Sequence, residues 1–314
     1  STNDDITRTT SLEVVNAGYL NVKSFGAKGD GVSDDYPAVL EALTEAQFGT
    51  NKVVYFPPGI YNVTGPGGVS SMPVVGRTII QGAGKEATII FSSSNDPIIH
   101  IKRNALFQGG DVRNLTIRGE VTAGPDQVGL LVDDAPFLYT SIFEDIRVEN
   151  TGGNGVANYR GFSVTYKNVY MHNCEGYPFL YDSANMPGNH FQSLYVEGIR
   201  ANGNVAFRIK SGFFSAHCLN GVNTIENDSS WMTVGRKIGA DGDVTEGGAA
   251  VHLYDCNIES TNVYGIRLFG PSTVNFFGTN FFALNTGVGA QTPRYAIFNE
   301  GNGNGVSYFA EFVP

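Results

Sequence analysis

A chain of 314 residues with 40 glycines, 12% aromatic and only 16% charged residues is long enough for one large core. Its composition suits many short strands separated by turns better than long solvated helices. A formal charge of -10 excludes nucleic acid as the expected partner, because phosphate binding rests on Lys and Arg. No apolar run is long enough to span a bilayer and no signal-peptide pattern is seen, so membrane insertion is not expected. The chain starts at Ser1 without Met, which leaves its location open. Cys174, Cys218 and Cys256 lack the close spacing of a zinc site and read as buried free thiols, which suit a reducing compartment.

Residues 1–20 read as a polar N-terminal arm. Asn21 to Leu43, NVKSFGAKGDGVSDDYPAVLEAL, predicts a strand carrying Val22 and Phe25, a turn punctuated by Gly26, Gly29 and Gly31, and a helix opened by Ser33-Asp34-Asp35. Carboxylates there face the unpaired amides and positive dipole end of the helix. Pro37 costs nothing in a first turn, which places the N-cap at Asp35 rather than Ser33. Val39, Leu40 and Leu43 share one apolar face. This strand-turn-helix unit covers residues 21–50. Lys52 to Val63 follows as a strand pair broken by Pro57-Pro58-Gly59.

The stretch from Asn21 resembles the N-terminal signature of the pectate-lyase-like superfamily, of the type N-V-x-x-F-G-A-x-G-D-G-x-x-D-D followed by a helix. The resemblance runs on through VVYFPPGIYNV (53–63) and TIIQGAGKEATII (78–90). It implies an all-β fold, a right-handed parallel β-helix with an N-terminal capping α-helix that plugs the solenoid. It also implies a polysaccharide-acting neighbourhood shared by lyases, hydrolases, epimerases and phage tailspikes. The signature itself holds no catalytic residue.

From Arg77 onward the chain is repetitive. NLTIRG, DIRVEN, NVYMHN, SLYVEG, NTIEN, CNIES and TNFFA align on Ile117, Val148, Met171, Val196, Ile225, Ile258 and Phe281, at separations of 31, 23, 25, 29, 33 and 23 residues. Such unequal steps are those of solenoid coils with loops of varying length. A second alternating set, GLLVDD, YPFLYD, VAFRIKS, AVHLYD and YGIRLFG, predicts another stacked sheet. The β-helix is assigned to residues 51–290. Residues 291–314 read as a terminal coil or cap, and a truncated chain is equally compatible.

Period-two alternation turns the residue after each reference position outward, giving the column Arg118, Glu149, His172, Glu197, Glu226, Glu259 and Phe282. The neighbouring column holds Arg147, Tyr170 and Tyr195. Aromatic faces beside carboxylates suit a sugar-binding floor. Adjacent coils place Glu197 and Glu226 about 4.8 Å apart, and two coils place Glu149 and Glu197 about 9.6 Å apart, near the retaining and inverting carboxyl separations. Stacked like charges would raise one pKa and keep a carboxyl protonated as general acid. The catalytic candidates are therefore Glu149, Glu197 and Glu226. His172, Tyr170, Tyr195, Arg147, Glu259 and Trp231 are the substrate-binding candidates. Trp231, in the long interruption 226–248, is either a sugar platform on a loop or a plug beneath it. His100, His190 and His217 fall at or near coil turns and receive no role. No metal motif is present and no cofactor is expected.

A more basic face is predicted from Arg208, His252 and Arg267 beside Asp182, Lys210 and Tyr254. Lys210 with Tyr254 or His252 would serve β-elimination of a uronic-acid polymer. Within the superfamily the chain is most similar to the depolymerase domain of a bacteriophage tailspike. That resemblance implies a homotrimer of the virion tail, acting outside the cell on a bacterial capsule or O-antigen; a secreted bacterial enzyme is the alternative. The expected reaction is endo-glycoside hydrolysis, with a lyase and a non-catalytic glycan-binding adhesin as the other readings.

Overall fold

A computed structural model of the chain describes residues 18–50, 52–65, 71–102, 110–133, 138–139, 141–159, 161–162, 164–182, 195–197, 200–201, 205–217, 220–223, 230–236, 247–260, 264–282, 295–300 and 305–309. Among them every pairing between strands is parallel, apart from one isolated bridge between Arg236 and Gly247. The chain winds as a right-handed parallel β-helix with three faces per coil. One coil shows the plan: Thr165–Lys167 lies on the first face, Tyr170–Cys174 on the second and Phe179–Tyr181 on the third. The next coil repeats it with Tyr195–Glu197, Arg200–Ala201 and Phe207–Ile209, each paired to its predecessor.

The first and second faces belong to one 19-stranded sheet because Asp111–Arg118 and Ile142–Thr151 run through the corner between them. That corner is a single left-handed residue. Asn114, Asp145, Asn168 and Asp255 all have φ of 51° to 56°, and Gly278 takes the same place at 61°. Asn and Asp tolerate this region because their short side chains bond locally, whereas other residues clash there. Asn168 donates to the Asp145 carboxylate of the coil below. Asn150 and Asn173 turn the chain off the second face in the same way, and Asn173 Nδ2 donates to Asn150 Oδ1 at 2.6 Å.

The core is a column of stacked layers, filled by Val54, Ile80, Val112, Phe143 and Tyr166 from the first face, Ile90, Ile117, Val148 and Met171 from the second, and Ile99, Leu130, Val156, Phe179 and Phe207 from the third. Such stacking leaves open ends. The helix Tyr36–Phe48 packs against the first strands, Tyr19–Asn21, Val53–Phe56 and Met72–Val75, and so covers the N-terminal end. It buries Val39, Ala42, Leu43 and Ala46; the predicted Leu40 is only half-buried, because a helix lying flat presents one narrow stripe.

The signature residues have separate tasks here. Asp35 is the N-cap residue, but its buried carboxylate reaches back to accept from Lys28 N at 2.6 Å and Gly29 N at 3.1 Å, tying the glycine turn to the helix. Asp34 accepts from Tyr36 N, and Asp30 from Val32 N, Ser33 N and the Ser33 hydroxyl. Those hydrogen bonds, led by Ser33 N, lower the Asp30 pKa to about 2. Gly29 and Gly59 meet back to back: a Cβ on Gly59 would stand 2.7 Å from Gly29 O, and Gly29 has φ of 66°. Val22–Phe25 is a 3-10 turn and not the predicted strand, started by Asn21 accepting from Lys23 N.

Two alignments of the sequence are corrected. Met171 is paired with Ala201, not Val196, and Ala201 with Gly221. Val196 belongs to the first face, between Tyr166 and Ala216. The strand Ala249–Tyr254 also lies on the first face, away from the third-face strands it was grouped with. Cys174 and Cys256 are buried and free as anticipated, and Cys218 lies outside the described residues.

Candidate functional site

The second face carries the cluster that the sequence points to. Register places Arg118, Glu149 and His172 side by side on successive strands. Glu149 is only 5% exposed, because Asn150 bends the chain directly after it. Its Oε1 accepts from Arg118 Nε at 2.7 Å and its Oε2 lies 3.0 Å from His172 Nε2. Burial pushes the Glu149 pKa up, but hydrogen bonding to Arg118, the charge of that guanidinium and then His172 outweigh it and hold the carboxyl below its ordinary range. An ionised Glu149 can only accept, so His172 Nε2 carries the hydrogen and Nδ1 is the basic nitrogen of the neutral ring. Beside this cluster, the Tyr170 ring lies 5.2 Å from that of His172, and the Arg147 guanidinium stands 5.8 Å over Tyr170 while pairing with Glu86.

Glu197 therefore does not stack in the column of Glu149 as expected. Glu149 stands between Arg118 and His172, and Glu197 lies on the first face between Lys167 and His217. Tyr195 is on that face too, so it does not neighbour Tyr170. Like charges stacked at strand spacing destabilise a sheet, and alternation of sign removes the cost. The raised pKa anticipated for a general acid is absent from Glu149, whose pKa is lowered. Glu259 shares the column of Glu149 and His172 farther along the solenoid, on the strand Asn257–Ser260 next to Asn220–Asn223. Glu226 lies outside the described residues.

Trp231 is no sugar platform. It sits in the third-face strand Ser230–Val234, fully buried, with its ring 5.0 Å from Phe207, so part of the supposed loop is a core strand. The predicted basic face also divides. His252 and Tyr254 are on the first face, where Tyr254 stacks on His217 at 4.4 Å and on Phe277 at 4.5 Å. Arg208 is buried, donating to Gly235 O at 2.6 Å, and only Lys210 of the proposed lyase set borders the third face.

A second constellation stands at the end of the third face. The residue following each strand extends the ladder by one bond: Tyr159 N donates to Val132 O, Asp182 N to Asn158 O and Lys210 N to Tyr181 O. Asp133, Tyr159, Asp182 and Lys210 therefore form a row. Burial raises the Tyr159 pKa, with Asp182 and then Asp133 adding to the shift. Asp182 accepts from the Ser211 hydroxyl at 3.0 Å and pairs with Arg236. Sequence reading grouped Asp182 and Lys210 but missed Asp133 and Tyr159; the shared place after an alternating apolar triplet was the signal. Among the described residues no cluster of metal-ligating side chains occurs.

Residues 19–118 match the sequence profile of the family described as rhamnogalacturonase A/epimerase, pectate lyase-like. The mannuronan C5-epimerase AlgE3 of Azotobacter vinelandii is 36% identical over 96 residues, a stretch that covers 29% of this chain and 5% of that protein. In three dimensions the chain is similar to the gp42 tailspike of Acinetobacter phage vb_AbaP_AS12, with a TM-score of 0.59, 11% identity, and coverage of 94% of this chain and 63% of that one. It is also similar to the A-module of the Azotobacter vinelandii mannuronan C-5 epimerase AlgE4, with a TM-score of 0.52, 19% identity, and coverage of 83% and 76%. At these identities the structural likeness is one of fold.

Proposed function

We propose that this chain is a polysaccharide depolymerase of the phage-tailspike kind, which binds a bacterial capsule or O-antigen and cuts it by endo-glycoside hydrolysis. The observation that carries the reading is the gathering of Arg147, Tyr170, His172 and Arg118 on one outward face of a rigid solenoid. An aromatic ring and fixed donors at strand spacing suit successive sugar units. The tailspike likeness of fold supports the same reading. In it, residues 21–50 close the solenoid, residues 51–290 carry the binding and cutting surface, and the active assembly is a homotrimer in the virion tail. Glu149 positions Arg118 and His172 and is not the acid; the carboxylates of the reaction lie elsewhere, Glu197 and Glu226 among the candidates.

β-Elimination is the second reading, favoured by the same cluster. Arg118 would neutralise a uronate carboxylate and His172 Nδ1 would take the C5 proton. The Tyr170 hydroxyl would protonate the leaving oxygen as C4–O4 breaks and C4=C5 forms. Digestion of a panel of purified capsular and O-antigen polysaccharides separates the readings, following reducing ends and the ultraviolet absorbance of the new double bond together. Reducing ends alone are the expected result. Both signals rising together would replace hydrolysis by elimination, and capsule binding with no release at any enzyme concentration would leave a glycan-binding adhesin.

A further inference from the structure

The outward positions of the first face change character along the solenoid. Over the early coils they carry ion pairs, Arg113 with Asp111 at 2.8 Å and Lys167 with Glu144 at 2.9 Å. On the later strands Gly212–His217, Ala249–Tyr254 and Thr273–Phe277 they hold no Asp, Glu, Lys or Arg. Aromatic rings take their place. His217, Tyr254 and Phe277 are in register and stack face to face at 4.4 Å and 4.5 Å, with interplanar angles of 8° and 7°. Beside them the rings of Phe213 and His252 meet edge to face at 4.8 Å. All five are half-buried although they point away from the core.

Stacking limits what can lie on this stripe. Rings stacked from strand to strand spend their faces on one another and turn their edges and polar tips outward. A sugar packs on an aromatic face, so the ladder is no glycan platform. A surface depleted of charge and enriched in Tyr and Phe is instead the composition of a protein interface. Its chemistry fits a second copy of the same chain. A chain with a formal charge of -10 repels its own copies, and a stripe without carboxylates lets them approach. The Tyr254, Ser215 and Asn275 side chains each donate and accept hydrogen bonds, so they can pair with their own kind. A copy lying alongside with its axis parallel repeats the same rise of about 4.8 Å per coil, so the two surfaces interleave over several coils. A partner of another fold lacks that period.

We propose that copies of this chain pack against one another through the aromatic stripe of the first face, around a symmetry axis parallel to the solenoids. The number of copies, three, rests on the tailspike reading above; the face rests on the stripe itself. In such an assembly the ladder His217, Tyr254 and Phe277 of one copy lies against the column Ser215, His252 and Asn275 of the next. The same contact repeats around the axis and closes. It ends where charge begins, so Lys167 and the position of Glu197 lie beyond it. The second face, with Arg118 and His172, stays open to glycan.

Sedimentation of the full chain over a dilution series tests this, with far-UV circular dichroism to establish folding. The parent is expected at the mass of three chains. Phe277→Glu is expected to leave single chains at micromolar concentration. Because that change also removes a stacked ring and can unfold the coil, Asn275→Asp supplies a second arm: it keeps the ladder, adds like charges that face one another only in the assembly, and should weaken association about tenfold or more. Val32→Glu, exposed at the N-terminal end, should keep the parent mass. A parent that stays a single chain at every concentration would overturn the proposal, as would a folded Asn275→Asp variant that associates like the parent. Digestion of the polysaccharide panel is read separately, so loss of assembly in the variants supports the interface even where the parent cuts nothing and the depolymerase reading fails.

Discussion

Glu149 shows how one buried charge organises its surroundings. It sits where the second face turns away, nearly sealed from water, and both of its oxygens are taken. Hydrogen bonds to charged groups stabilise by about 1.5–3 kcal/mol, whereas fully exposed pairs contribute about 0–1 kcal/mol. Arg118 and His172 are each about one-third exposed, which puts Glu149→Gln at a loss of about 1–3 kcal/mol at neutral pH. The pH dependence has a definite sign. The folded pKa is lowered from the ordinary 4.5, so the unfolded chain takes up the proton first on acidification. The stabilisation is complete well above pH 4.5 and drains as pH falls through the depressed folded value. Urea unfolding should therefore show the variant and parent converging at acid pH; a gap that persists there would assign the loss to packing. Cys174 makes the opposite case, since burial pushes its thiol up to about 11. A thiol reagent at neutral pH should label Cys174 and Cys256 only after denaturant is added, and rapid labelling of the native protein would contradict their burial.

At the scale of the coil, the left-handed corner residues matter more than the apolar ones used to align the repeats. Asn114, Asp145, Asn168, Asp255 and Gly278 each stand three positions before the inward residue of the second face. In the sequence Gly198 holds the same place before Ala201, so corner residues would have paired Met171 with Ala201. Apolar content could not, because Ala201 and Gly221 look like turn residues while Val196 looks like core. The cap signature, the parallel stacking and the alternation were legible because each rests on local chemistry. The assignment of strands to faces was not, because it depends on how many residues a connection consumes. The same corners yield a test. Asn173→Ala should cost about 1–2 kcal/mol, since it forces an ordinary side chain into the left-handed region and removes the bond to Asn150. Asn173→Gly loses only the bond and should fall between the two in thermal unfolding. Equal losses would mean that the ladder, and not the backbone, holds the corner.

For the whole molecule, stacking makes stability a nearest-neighbour property. Each coil touches the coils before and after it, and among the described residues the main contacts of the helix Tyr36–Phe48 are with the first few strands. A lesion at the cap should therefore be felt at the N-terminal end before it reaches the far end. Asp35→Ala removes two charge-assisted hydrogen bonds that join the glycine turn to the helix, a loss of about 3 kcal/mol if both are forfeited. Trp231 is the one tryptophan of the chain and lies in the core of a late coil against Phe207, so its fluorescence reports that region alone. In the Asp35→Ala variant the circular dichroism midpoint should move to lower denaturant while the Trp231 transition moves less, separating two curves. If the two remain superimposed and shift together, the coils unfold as a single unit and the cap sets the stability of the entire solenoid.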